Sequence, residues 1–250
     1  MSQKTAARQA GYIDLVRSNQ DFRRLWMGQA ISELGDWFNS VALFTLLLNL
    51  TGTSEAVGYI LIIKLLPTFL IGPLAGVAAD RFNRKMIMIG ADLARGLMAL
   101  GFLFIDRPEQ VWLVYVITAL QMVGTSFFEP ARSAAIPRIV SRDQLISANA
   151  LSGATWSATL ALGAALGGIV TDALGRDAAF IIDSVSFFLS AAVISFVRLP
   201  SLPGHVAGAR LSLAEATGAA DLIEGARYLK SAPRVMALLL VKSGWGMGGG

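Results

Sequence analysis

The chain has 250 residues, of which 54% are hydrophobic and 15% charged, with a mean hydropathy of +0.59; soluble domains carry roughly 25% charged residues. Its net charge of +4 comes from basic residues scattered between apolar blocks, a placement that suits membrane topology and not a nucleic-acid partner. With no cysteine and a single histidine, His205, in a Pro/Gly-bracketed stretch, disulfides, thiolate metal sites, thiol nucleophiles and Ser/His/Asp catalysis have nothing to build on, and neither a metal, a cofactor nor an enzyme activity is expected.

Residues 1–24 hold too many polar groups before the first apolar block to form a cleaved signal peptide, and read as a cytoplasmic tail. Six blocks of about twenty apolar residues follow, each long enough to cross ~30 Å of hydrocarbon. Span one, Leu25 to Leu50, carries Glu33 and Asp36, three apart and so on one helix face. Counted from Leu25, Asp36 lies roughly 16 Å deep at ~1.5 Å per residue. Two neighbouring carboxylates at that depth suit reversible protonation or cation coupling, Asp36 first. The alternative is structural pairing of Asp36 with Lys64, Arg95 or a backbone group.

Span two, Ala56 to Ala79, is interrupted by Pro67 and Pro73 and holds Lys64, which is placed to face a water-filled cavity. Span three, Met86 to Ile105, carries Asp92 and Arg95, three apart and expected to pair within their helix. Span four is expected over Val111 to Phe128, and span five, Ser147 to Thr171, has a glycine face (Gly153, Gly163, Gly167, Gly168) suited to close helix approach. Span six, Ala178 to Val197, carries Asp183 in its outer third, where partial solvation is expected. Trp37, Phe38 and Trp156 are candidates for lining a cavity, or for lipid and packing contacts.

Beyond the sixth span, residues 199–232 read as a cytoplasmic linker with an amphipathic helix, Leu222, Ile223, Ala226 and Leu229 falling on one face. A seventh apolar segment begins near Pro233 and occupies residues 233–250; its glycine-rich end follows an apolar run and is no phosphate loop. The expected fold is therefore an all-α membrane protein: a six-helix transmembrane bundle over residues 25–198, a linker, and the start of a seventh helix.

Lys and Arg counts in the gaps orient the bundle. The tail has five, the second gap three (Arg81, Arg84, Lys85), the fourth three (Arg132, Arg138, Arg142) and the stretch after span six five, whereas the other gaps hold none, Arg107 and Arg176. Short cytoplasmic loops are the ones enriched in these residues, so the N-terminus is expected inside.

The chain also resembles itself. Gly76, Asp80 and Arg84 after span two recur as Gly168, Asp172 and Arg176 after span five, displaced by 92 residues, with Gly175 opposite Asn83. Three spans is an odd number, so the copies fall on opposite sides, the mark of two inverted three-helix repeats.

The pattern Gly76, Asp80, Arg81, Arg84, Lys85 resembles the loop between helices two and three of the major facilitator superfamily. Phe127 to Leu151 is similar to the drug-exporter branch that includes macrolide-efflux proteins and the enterobactin exporter. The resemblance implies two six-helix bundles with the cavity between them, alternating access, and a gate in which the loop cluster contacts the second bundle; simple positive-inside topology would explain the basic residues but not Asp80. Family Gly is replaced by Asn83, an exchange expected to be tolerated through left-handed turn geometry. The Gly-Pro of the family's helix-five motif becomes Gly163 and Ala164, and Leu120 to Gly124 lacks a helix-four arginine, two departures from the family's proton-antiport pattern.

The function expected is efflux of small amphipathic or drug-like molecules in a bacterial plasma (inner) membrane, with the carboxylates of span one serving proton or cation antiport. The partners expected are the lipid bilayer, a small-molecule substrate and a C-terminal bundle of the same protein, without which this chain is read as a fragment that does not transport alone. The alternatives are a non-transporting assembly or sensor protein, or a half-transporter acting as a homodimer.

Overall fold

The computed structural model describes residues 11–200, and everything described is helical or connecting, without a strand. The linker helix, the seventh segment and His205 lie outside these residues. In chain order the helices are α1 (Tyr12–Ser18), α2 (Gln20–Thr51), α3 (Ser54–Arg81), α4 (Arg84–Gly101), α5 (Val111–Ile139), α6 (Leu145–Leu174) and α7 (Arg176–Ser195), with 3-10 turns at Phe102–Phe104 and Pro108–Gln110.

Local chemistry sets the helix ends. Asn19 caps α2, its side chain accepting from the Phe22 N–H at 2.9 Å and its amide nitrogen donating to the Ile139 carbonyl of α5. Gly52 ends α2 at φ +68°, and Gly175 separates α6 from α7 at φ +83°, conformations that a Cβ disfavours. Asn83 departs from its expected role. Its φ is −66°, outside the left-handed region, and its side chain caps α4 by accepting from the N–H groups of Lys85 and Met86.

Among the described residues, five helical stretches (Ser54–Arg81, Arg84–Phe104, Pro108–Ile139, Leu145–Leu174 and Arg176–Ser195) are long and apolar enough to cross a membrane. All six expected spans are helices, and α2, which contains span one, is the one outside this set of five. At 32 residues α2 has the length, but Asp36, Asn39 and Ser40 dilute its apolar run. Two boundaries also move. Residues 12–18 of the expected tail form a helix with Leu15 fully buried. Span four continues past Phe128 to Ile139 through Pro130 and Pro137, because alanines around the prolines keep it helical and packed. Arg132 and Arg138, counted above as loop residues, therefore lie on α5.

The packing is paired. α2 lies against α6 and α7, α5 lies against α3 and α4, and α4 meets α7. This arrangement is unchanged if α2, α3 and α4 are exchanged with α5, α6 and α7. Two apolar clusters fill the ends of the bundle: one gathers Phe22, Leu25, Met88, Phe128 and Ile194, the other Leu43, Leu46, Phe102, Val114 and Phe180. Between them the middles of α2, α4, α5 and α7 bury polar groups, among them Ser32, Asp92, Arg95, Gln121, Asp183 and Ser184. By contrast α3 leaves Leu61, Ile62, Leu65, Phe69 and Leu70 exposed, surface suited to apolar surroundings and not to water.

Candidate functional site

The polar layer opens into two adjoining chambers. The larger, about 540 Å³, is lined by residues including Gln29, Glu33, Asp36, Arg95, Glu129, Arg132 and Trp156. The smaller, about 310 Å³, is lined by Asn39, Ser40, Lys64, Gln121 and Trp37 among others. Glu33, Asp36, Thr125 and Trp156 border both. The helical spacing of residues 33 and 36 turns both carboxylates of α2 toward this space.

Each charged group has a distinct setting. Arg95 pairs with Asp92 on its own helix, and its Nη1 stands 3.8 Å from Asp36 Oδ2 and donates to Thr125 Oγ1 at 3.3 Å. Its guanidinium lies over the rings of Phe128 and Phe187, whose centres are 4.9 and 4.3 Å away. Lys64 donates to Ser40 Oγ at 2.7 Å, and Ser40 in turn donates to the Asp36 carbonyl at 2.7 Å. Glu33 accepts from Gln29 Nε2 at 2.7 Å and from Thr159 Oγ1 at 3.3 Å. Gln29 is held in that orientation by Arg132, which donates to its Oε1 at 2.8 Å and to Glu129 at 2.7 Å.

Asp183 corrects an expectation. Placed by sequence where partial solvation was anticipated, it is fully buried, and neither carboxylate oxygen has a hydrogen-bond partner. The reason is that α2 presents Gly35 to it: a Cβ built there would lie 3.0 Å from Asp183 Oδ1 and 2.0 Å from Ser186 Oγ, so the helices close over the carboxylate.

The loop cluster expected to form a gate lies elsewhere, at the end of the bundle shared by α3, α4 and α5. Arg84 pairs with Asp80 at 3.4 Å and donates to the carbonyls of Ala79 (2.8 Å) and Ala134 (2.9 Å), tying the α3–α4 turn to α5. Arg81 and Lys85 make no ion pair among the described residues. Gly76 has nothing within 4 Å of a built Cβ among the described residues, which leave that face of α3 open. The repeat counterpart differs in chemistry. Arg176 pairs with Asp177 at 3.4 Å instead of Asp172, and donates to the Ile105 carbonyl at 3.2 Å at the opposite end of the bundle. On α6, Gly163 and Gly167 press against Trp37 and Phe38, whereas Gly153 and Gly168 meet nothing within 4 Å.

Gln29, Asn39, Gln121, Glu129, Arg132 and Thr159 are lining or supporting residues that the sequence reading did not single out. The Glu129 to Arg132 spacing of three was the available signal, obscured by assigning both to a loop.

The model of the transmembrane secretion effector family matches residues 16–245. Over 227 residues the chain is 27% identical to the uncharacterized MFS-type transporter YfiS of Bacillus subtilis (strain 168), covering 90% of this chain and 53% of that protein. It is 28% identical over 224 residues to macrolide efflux protein A of Streptococcus pyogenes, covering 88% and 54%. To macrolide efflux protein A of Enterococcus faecalis it is 29% identical over 180 residues, covering 70% and 54%. The chain spans about half the length of these curated relatives.

Proposed function

The chain belongs to the transmembrane secretion effector family of major facilitator transporters, and from that premise we propose that it forms the first bundle of an exporter of small amphipathic molecules. The observation that carries this reading is the chamber at mid-bundle, where Glu33 and Asp36 face Trp156, itself 55% exposed. An aromatic surface beside carboxylates receives a solute with an apolar body and a polar or cationic end.

Three features support alternating access in a multi-pass bundle with its N-terminus inside a bacterial plasma membrane. The exchange-symmetric packing fits inverted repeats. The open faces of α3 and α6, rich in apolar side chains, suit a second six-helix bundle that completes the chamber. The Asp80–Arg84 pair leaves Asp80 largely exposed at one end, available to such a bundle as a gate contact. Asp36 carries the ion coupling, because it borders both chambers and Arg95 holds it only loosely.

The test is efflux from proteoliposomes containing the protein encoded by the reading frame that includes this chain, with a macrolide and a fluorescent lipophilic amine as probes. Efflux is expected to rise with an imposed pH gradient and to lose that dependence in Asp36→Asn. Efflux that ignores the gradient and is unaltered by the variant removes the coupling role; no efflux of either probe removes the exporter reading.

A further inference from the structure

Asp183 is a buried carboxylate that the export reading does not use. It lines neither chamber, has no exposed surface, and has two oxygens without donors. A charge left so is heavily penalised unless a partner or a proton compensates it. The neighbourhood contains an unmatched cationic donor, since Arg95 Nε–H is buried without an acceptor. Arg95 lies close by: its guanidinium carbon is 4.3 Å from the ring centre of Phe187, one helical turn from Asp183 on α7. Asn39, which lines the smaller chamber, stands beside Asp183 and leaves its own Oδ1 without a donor.

The charged groups facing Asp183 are Asp36 from α2, Arg95 from α4 and Lys64 from α3 across the chamber, and Asp92 of α4 is held by the same Arg95. α6 carries only Asp172, in its last turn. Three carboxylates thus share one guanidinium, which binds Asp92 tightly and Asp36 at 3.8 Å, while Lys64 is engaged with Ser40.

We propose that Asp183 stores a proton that is exchanged against the charge on Asp36, with Arg95 moving between the two carboxylates. While Asp36 is ionised it retains Arg95, and Asp183 carries its proton as O–H, donating to Asn39 Oδ1. When Asp36 is neutralised by a proton from chamber water, Arg95 loses its weaker partner and turns its free N–H to Asp183. The Asp183 O–H bond then breaks and its proton leaves past Asn39 to water in the smaller chamber. One proton is gained and one lost, so the charge of the cluster is constant. Gly35 permits the exchange by letting α7 approach α2 at the level of both carboxylates.

The exchange rests on the reading that the chambers admit water during transport, but its test needs no transport, so either proposal can fail alone. The chain is placed in lipid nanodiscs and its pH-difference infrared spectra are recorded for wild type, Asp183→Asn and Asp36→Asn. At neutral pH wild type is expected to show a protonated-carboxyl stretch that moves on ¹³C labelling of aspartate and is lost in Asp183→Asn. Asp36→Asn, which keeps residue 36 neutral, is expected to lose the same band although Asp183 is intact. A band insensitive to aspartate labelling, or one that survives Asp36→Asn, overturns the proposal. Because labelling and Asp36→Asn both report on an unaltered Asp183, the outcome stands even if Asp183→Asn does not fold.

Discussion

Gly35→Ala tests the glycine of the described residues with the least room for a Cβ. A Cβ at residue 35 would meet Ser186 Oγ at 2.0 Å, Ser186 Cβ at 2.8 Å and Asp183 Oδ1 at 3.0 Å. Inserting a methyl into a well-packed site costs about 1–3 kcal/mol, and two contacts under 3 Å place this case in the upper half of that range. Helix propensity returns up to about 1 kcal/mol for Gly to Ala, leaving a net loss of about 1–2 kcal/mol. Gly58→Ala on α3 is the control: nothing lies within 4 Å of its built Cβ, so only the propensity gain applies. Thermal unfolding of the chain in detergent micelles, followed by circular dichroism, should therefore shift in opposite directions for the two variants. Ser186→Gly removes two of the three clashing atoms, so Gly35→Ala in that background should become neutral or stabilising, with a coupling of about 1–3 kcal/mol. Equal effects of alanine at residues 35 and 58, or absence of coupling to Ser186, would refute the close α2–α7 contact and with it the burial of Asp183.

Asn19→Ala removes the α2 cap and the bond to Ile139, and should lower stability by about 1–2 kcal/mol in the same assay; Asn19→Asp, which keeps the cap alone, should recover part of the loss. Asn83→Ala should cost about 1 kcal/mol and Asn83→Gly only a few tenths, the order expected of a cap; a left-handed turn would favour glycine over asparagine outright. Arg132→Gln leaves Gln29 and Glu129 without their charged donor, so a loss of about 1.5–3 kcal/mol is expected. The same variant, in the efflux assay, should weaken probe transport by releasing Glu33 from its fixed orientation; unaltered transport would make Arg132 a packing residue only.

The comparison of sequence with structure separates by the range of the interaction. Asp92 with Arg95, and Glu33 beside Asp36, are separations of three on one helix, so their adjacency follows from helical geometry. Span existence followed from block length, but the α5 boundary did not, because Glu129, Pro130 and Arg132 resemble a loop until the alanines around them pack against the α3–α4 turn. Asn83 was misjudged for a related reason: asparagine serves both left-handed turns and N-caps, and the backbone angle that chooses between them depends on how α3 meets α4.

By itself, then, the sequence determined the all-helical class, the approximate spans, the repeat spacing of 92 residues and which charges lie within apolar segments, all consequences of composition and local periodicity. Tertiary structure alone decided which of those charges meet. Lys64 reaches Ser40 across 24 residues, Arg132 reaches Gln29 across 103, and Ser184 binds the Gly96 carbonyl across 88. Asp183 is the sharpest case, read as partly solvated from its position along α7 yet sealed by Gly35 of α2. Depth along a helix is a one-dimensional property that the chain carries in its order, whereas solvation of a side chain depends on the helix packed in front of it.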